Sequence, residues 1–198
     1  MNRLFLTCLG LCVLLASLSG CGIARALLEK GMSGSGAVQE ESSLAGSSSS
    51  LVQGSRVEPE DGFAGGRIGD AMATAFFDFT ILSAEKRAEY EGYVPAEGYI
   101  LVDTAVKVYN TFGETVPMFA SDFQIQWGDG DEDYGYPVQE ITGEQAVPEQ
   151  YSLHPFETVE YHHVYEVPEG TEEYSVSFLE LYEDESQGDV FFVYFELK

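Results

Sequence analysis

An antiparallel β-sandwich of about seven strands is the fold this sequence predicts for the segment from residue 66 to Lys198. Three observations carry that expectation. Aromatic residues crowd into the segment, which holds all 12 tyrosines, the single tryptophan and 11 of the 13 phenylalanines. Apolar and polar residues alternate there at period two, the mark of strands with one buried face. Turn-forming clusters separate the alternating runs, with no sustained helical spacing between them, which argues for sheet packed on sheet.

The chain opens differently. Arg3 precedes an apolar run from Leu4 to Ala16, followed by Leu18-Ser19-Gly20-Cys21. A positive start, a run too short to span a bilayer and small residues before a cysteine look like a bacterial lipoprotein signal. Residues 1–20 are therefore expected to be removed, leaving Cys21 as a lipid-bearing N-terminus. Two acyl chains would make that anchor stable, at about 0.8 kcal/mol per buried methylene. Cys8 and Cys12 leave with the signal, so the mature chain keeps one cysteine, spent on lipid, and has no internal disulfide.

Residues 21–65 read as a flexible linker. Positions 22–66 hold nine glycines and nine serines, including Ser47-Ser48-Ser49-Ser50. Such a coil has an r.m.s. span of about 37 Å and a fully extended reach on the order of 150 Å.

The strands of the 66–198 domain follow in order. Phe77, Phe79 and Ile81 alternate with Asp78 and Thr80, and Ile100 to Val108 alternates through Asp103 and Lys107. Phe123, Ile125 and Trp127 form a third run, Val159 to Val167 a fourth, Tyr174 to Phe178 a fifth and Val190 to Leu197 a sixth. Pro117 lacks an amide donor, so the stretch from Thr115 is expected at a sheet edge or a switch between sheets. The charged stretch Ala84–Gly92 reads mainly as a long loop. Turns are expected at Tyr109–Gly113, Gly128–Asp131, Pro168–Gly170 and Asp184–Gly188.

Several of these elements together carry a resemblance. Ile68-Gly69-Asp70 is followed by Gly92-Tyr93-Val94-Pro95-Ala96-Glu97-Gly98 and by Tyr99-Ile100-Leu101-Val102-Asp103 through Val108-Tyr109-Asn110-Thr111. Then come Ser121-Asp122-Phe123 and Val164-Tyr165-Glu166-Val167-Pro168. The domain resembles the telokin-like, immunoglobulin-like domain of unknown function of Gram-positive lipoproteins, a group related to the immunoprotective extracellular protein family. The resemblance implies an immunoglobulin-like sandwich, export and a lipid anchor or signal peptide. It implies no catalytic residues. The acidic load and the long region Gly128–Gln150 depart from that pattern.

Five of the nine basic residues and 28 of the 34 acidic residues fall between Arg67 and Lys198, a net charge of −23 for that segment. Such a field repels nucleic acid and anionic lipid and attracts cations or a basic partner. Asp129, Asp131 and Asp133 have the 1, 3, 5 spacing of a calcium loop, with Glu140 at position 12. Tyr134 occupies the sixth position, where the sharp turn needs glycine, so an acidic hairpin turn is the competing reading. His163 shares a row with Val159, Tyr161 and Tyr165 and is expected in the core or at its boundary with its ring nitrogens hydrogen-bonded. His162 points the other way, so the pair does not share a metal; His154 with a carboxylate is a remaining zinc or copper possibility. Neither Gly-x-Ser-x-Gly, His-Glu-x-x-His nor a phosphate-binding glycine loop occurs. Tyr90, Tyr93, Tyr134, Tyr136 and Tyr151 lie in expected loops or strand edges, where rigid amphipathic rings make contact surface.

The reading that results is a non-enzymatic, lipid-anchored extracellular domain that binds a protein partner. A carbohydrate or cell-wall module using the loop tyrosines, and a calcium-binding module using the Asp129 loop, are the alternatives.

Overall fold

A computed structural model describes residues 54–198; the expectations for the signal, Cys21 and the linker up to residue 53 lie outside the described residues. Twelve strands and one short 3-10 turn make up the described part. One sheet sets β1 (Arg56–Val57), β3 (Ala71–Ala73), β4 (Phe77–Arg87), β5 (Tyr99–Asn110) and β10 (Thr158–Pro168) side by side in that order. The second runs β2 (Phe63–Arg67), β12 (Gln187–Glu196), β11 (Glu173–Leu181), β7 (Gln124–Gln126) and β8 (Tyr134–Gly135). A separate ribbon pairs β6 (Val116–Phe119) with β9 (Gln150–Leu153). Without the short edge strands, β4, β5 and β10 face β7, β11 and β12. That is the immunoglobulin-type division of A, B and E against C, F and G.

The alternating runs supply the core. Phe77, Phe79 and Ile81 of β4 and Val102, Val106 and Val108 of β5 face Ile125, Val176, Phe178, Phe191 and Val193 of the second sheet. Phe123 fills the middle, its ring edge-on to Phe79 at 5.1 Å, and Phe77 meets Phe178 edge-on at 4.9 Å. Edge-to-face contact suits the ring quadrupoles. Truncating one of these rings to alanine costs about 3–5 kcal/mol.

The structure corrects three expectations. The sandwich is not purely antiparallel: β1 pairs parallel with β3, and β2 pairs parallel with β12. Residues 56–65, read as linker from their glycine content, hold β1 and the start of β2, so the ordered chain begins before residue 66. Local composition misleads here because the stabilising partners are remote. Phe63 stacks on Phe192 at 5.7 Å, and Phe63 and Tyr194 crowd the space a Cβ would take at Gly65. Gly54 is needed for close approach, since a Cβ there would collide with the Gly69 carbonyl oxygen. Finally, Ala84–Arg87 is strand rather than loop. β4 changes register between Ile81 and Ser83 and continues along β5 to the pair Arg87↔Leu101.

Pro117 does sit in an edge element, since β6 pairs only with β9. His163 is buried at 1% exposure, edge-on to Phe123 at 5.2 Å. Neither ring nitrogen makes a hydrogen bond. Burial lowers its pKa to about 3; the Tyr161 backbone opposes that shift without meeting hydrogen-bond geometry.

Candidate functional site

A groove of about 1040 Å³ lies at the end of the sandwich where β4 begins and β5 and β11 end. Its floor is apolar: Phe77, Met118 and Phe178 belong to the main core. Its walls expose Phe112 at 50%, Phe119 at 40% and Leu181 at 61%. Four carboxylates line it, Glu114, Asp122, Glu183 and Asp184, and no lysine, arginine or histidine does.

Each wall is positioned by identifiable bonds. Asn110, fully buried at the end of β5, donates from Nδ2 to the Glu114 and Leu153 carbonyls at 2.7 and 2.9 Å. Its Oδ1 accepts the Phe112 amide at 2.9 Å. One side chain thus shapes the turn that carries Phe112 and Glu114. Phe76 packs 5.5 Å from both Phe112 and Tyr182, joining that turn to the β11–β12 hairpin. Asp122 ends the 3-10 turn Ala120–Asp122 and accepts the Phe119 amide at 2.8 Å. Burial pushes its pKa up to about 6, partly offset by that hydrogen bond.

Glu180 ties the two sheets together beneath the same end. Its buried carboxylate accepts the Ala75 amide at 2.7 Å, the Asp189 amide at 3.2 Å and the Tyr182 hydroxyl at 3.2 Å. These donors compensate a buried negative charge without a cation.

A second polar constellation lies elsewhere, on the outer side of the first sheet. Asp103 of β5, 2% exposed, accepts from Arg87 Nε at 2.7 Å on one oxygen and from His162 Nδ1 at 2.7 Å on the other. Tyr90 packs on both partners, with the guanidinium carbon 5.5 Å and the imidazole 6.0 Å from its ring. Burial, then the Asp103 charge, raises the Tyr90 pKa. The segment Val138–Val147 covers this region. Val138 donates to Val164, His162 to Gln145, and Val147 to His162, all through backbone amides. Ile141 and Ala146 then bury Leu101 and Val164 in a small second core. The outward face of β5 and β10 is therefore dry around Leu101, Asp103 and Val164, and Asp103 is an internal ion-pair anchor rather than a surface charge.

The residues expected from the sequence do not converge. Tyr90 and Tyr93 bracket a tight turn; the Tyr93 hydroxyl donates to Glu166 at 2.7 Å, which, more than burial, pushes its pKa up to about 12. Tyr134 and Tyr136 contact each other at 5.9 Å in and just after β8 and are exposed. Tyr151 sits in β9, packed on Tyr161 with a buried hydroxyl, and burial raises its pKa. The five tyrosines occupy three separate places. Of the calcium candidates, Asp133 is spent on the turn itself: Oδ2 accepts the Gly130 amide at 2.9 Å. Asp129, Asp131, Asp133 and Glu140 form no three-ligand group, and among the described residues none of three or more His, Cys, Asp or Glu is present. The groove residues escaped sequence reasoning because they come from three separate stretches, 76–77, 112–122 and 178–186. The one local signal is Leu179 and Leu181, which continue the outward row of Ser175 and Ser177 with apolar side chains.

No protein-family model matches the chain, and no curated protein does. Solved structures do. The YjhA protein of Bacillus subtilis aligns with 67% of this chain and 99% of its own at 13% identity, with a TM-score of 0.50. A second Bacillus subtilis protein, named "putative lipoprotein (ycdA)", aligns over 64% of this chain at 13% identity, TM-score 0.49; this chain spans only 38% of its length. An uncharacterized β-sandwich protein of Clostridium difficile aligns over 66% of this chain and 92% of its own at 16% identity, TM-score 0.39. The class defined by the fold is a β-sandwich of immunoglobulin-type strand order, and the likeness to YjhA reaches the fold alone.

Proposed function

We propose that this chain is an exported, non-enzymatic lipoprotein of the immunoglobulin-like group it resembles, anchored through Cys21 at the outer face of the membrane. Its sandwich binds a partner protein through the groove at the end of β4, β5 and β11. The observation that carries this reading is the groove itself: an apolar floor, five exposed hydrophobic wall residues (Phe112, Phe119, Leu179, Leu181 and Tyr182) and an acidic rim with no basic residue among those lining it. Contiguous exposed apolar surface of that kind is characteristic of interaction sites. The acidic rim favours a partner with a basic surface and speeds its approach.

Two measurements test it. Labelling with a fatty-acid analogue should mark the wild-type protein and not Cys21→Ala. A crosslinked surface partner should be captured by the wild-type chain and lost with Leu181→Arg, a change at an exposed position that leaves the fold intact. Capture that ignores Leu181→Arg and is unaffected by salt would remove the groove from the account.

A further inference from the structure

We infer that the groove receives an extended segment of the partner, bearing alternating apolar and basic side chains, which adds as a strand beside Phe178–Leu181 of β11. This rests on the groove reading and specifies the chemistry and pose of what enters.

The backbone arrangement points to strand addition. β7 pairs with β11 only over Ser175–Ser177. Before β7 the chain turns through Ala120–Asp122 into β6, whose partner is β9. The last residues of β11 therefore have β12 on one flank and the groove on the other. A strand flank without a neighbour is a ready template for another chain. The β6 wall is the poorer template, because Pro117 has no N–H to donate. A segment entering along β11 would send alternate side chains to opposite sides. One set would meet the apolar floor of Phe77, Met118 and Phe178. The other would face the rim, where Glu114, Asp122, Glu183 and Asp184 supply four carboxylates and no cation competes.

The test uses the full chain and a capped hexapeptide of alternating valine and lysine, followed by titration calorimetry or fluorescence anisotropy. The peptide should bind, more weakly with added salt, and its glutamate-for-lysine counterpart should not. N-methylation of the amides of one parity should weaken binding about tenfold by removing strand hydrogen bonds, while methylation of the other parity leaves it unchanged. Leu181→Arg should weaken it while leaving the melting temperature in place. Equal effects of the two methylation patterns would overturn strand addition while leaving the groove as the partner site. Absence of peptide binding, or equal binding of the glutamate peptide, would overturn the inference, with partner capture by the groove judged separately through Leu181→Arg.

Discussion

His163 offers a sharp quantitative test, because burial holds it neutral with both ring nitrogens unpartnered. Its pKa falls from 6.5 to about 3 on folding. The unfolded chain therefore takes up this proton as pH drops below 6.5, whereas the folded chain resists until about pH 3. Acidification across that window favours unfolding, by about 1.4 kcal/mol per pH unit at most. Between pH 7 and pH 5 this single site costs the wild type about 2 kcal/mol. Asp122 acts in the opposite sense. Its folded pKa is raised from 3.8 to about 6, so the folded state takes up a proton first, and stability is gained as pH falls through 6. The two groups offset one another between about pH 6 and 4, and the wild-type profile hides both. Substitution separates them. His163→Leu, whatever its constant packing cost, should gain about 2 kcal/mol on wild type between pH 7 and pH 5, read from urea unfolding midpoints at each pH. Asp122→Asn should lose ground on wild type over the same interval. A His163→Leu difference that stays constant between the two pH values would refute the buried neutral imidazole.

Four further outcomes follow from named contacts. Asp103→Asn should cost about 2 kcal/mol in chemical unfolding, because Arg87 and His162 lose a charged acceptor. Glu180→Ala should cost about 2–4 kcal/mol, since it strands the Ala75 and Asp189 amides, and should loosen the groove by freeing Tyr182. Asp133→Ala should cost about 1 kcal/mol through loss of the Gly130 bond, and millimolar calcium should leave the wild-type melting temperature unmoved. Leu181→Arg should change stability by less than about 0.5 kcal/mol, as an exposed position does, yet abolish partner capture in a pull-down.

Where the chemistry is local, the sequence is legible. Period-two alternation found β4, β5, β10, β11 and β12, because a strand between a core and solvent must alternate whatever its neighbours are. It placed His163 inside by the same parity rule. The same rule failed for Asp103 and Leu101, whose face is outward by sheet geometry yet dry, because Val138–Val147 folds over it. It also failed at residues 56–65, where glycine content resembled a linker while Phe192 and Tyr194 waited more than a hundred residues away.

By itself, then, the sequence determined the β-sandwich class, the acidic field, the edge character of Pro117 and the burial of His163. These depend on side-chain periodicity and charge, which are properties of neighbours along the chain. Only the tertiary structure decided the mixed strand pairing, the Arg87–Asp103–His162 anchor, the dispersal of the five tyrosines and the groove. Each of these depends on which distant segments meet. Asn110 and Glu180 make the groove possible by tying loops to strands across the sandwich, and neither bond leaves a trace in the spacing of residues along the chain.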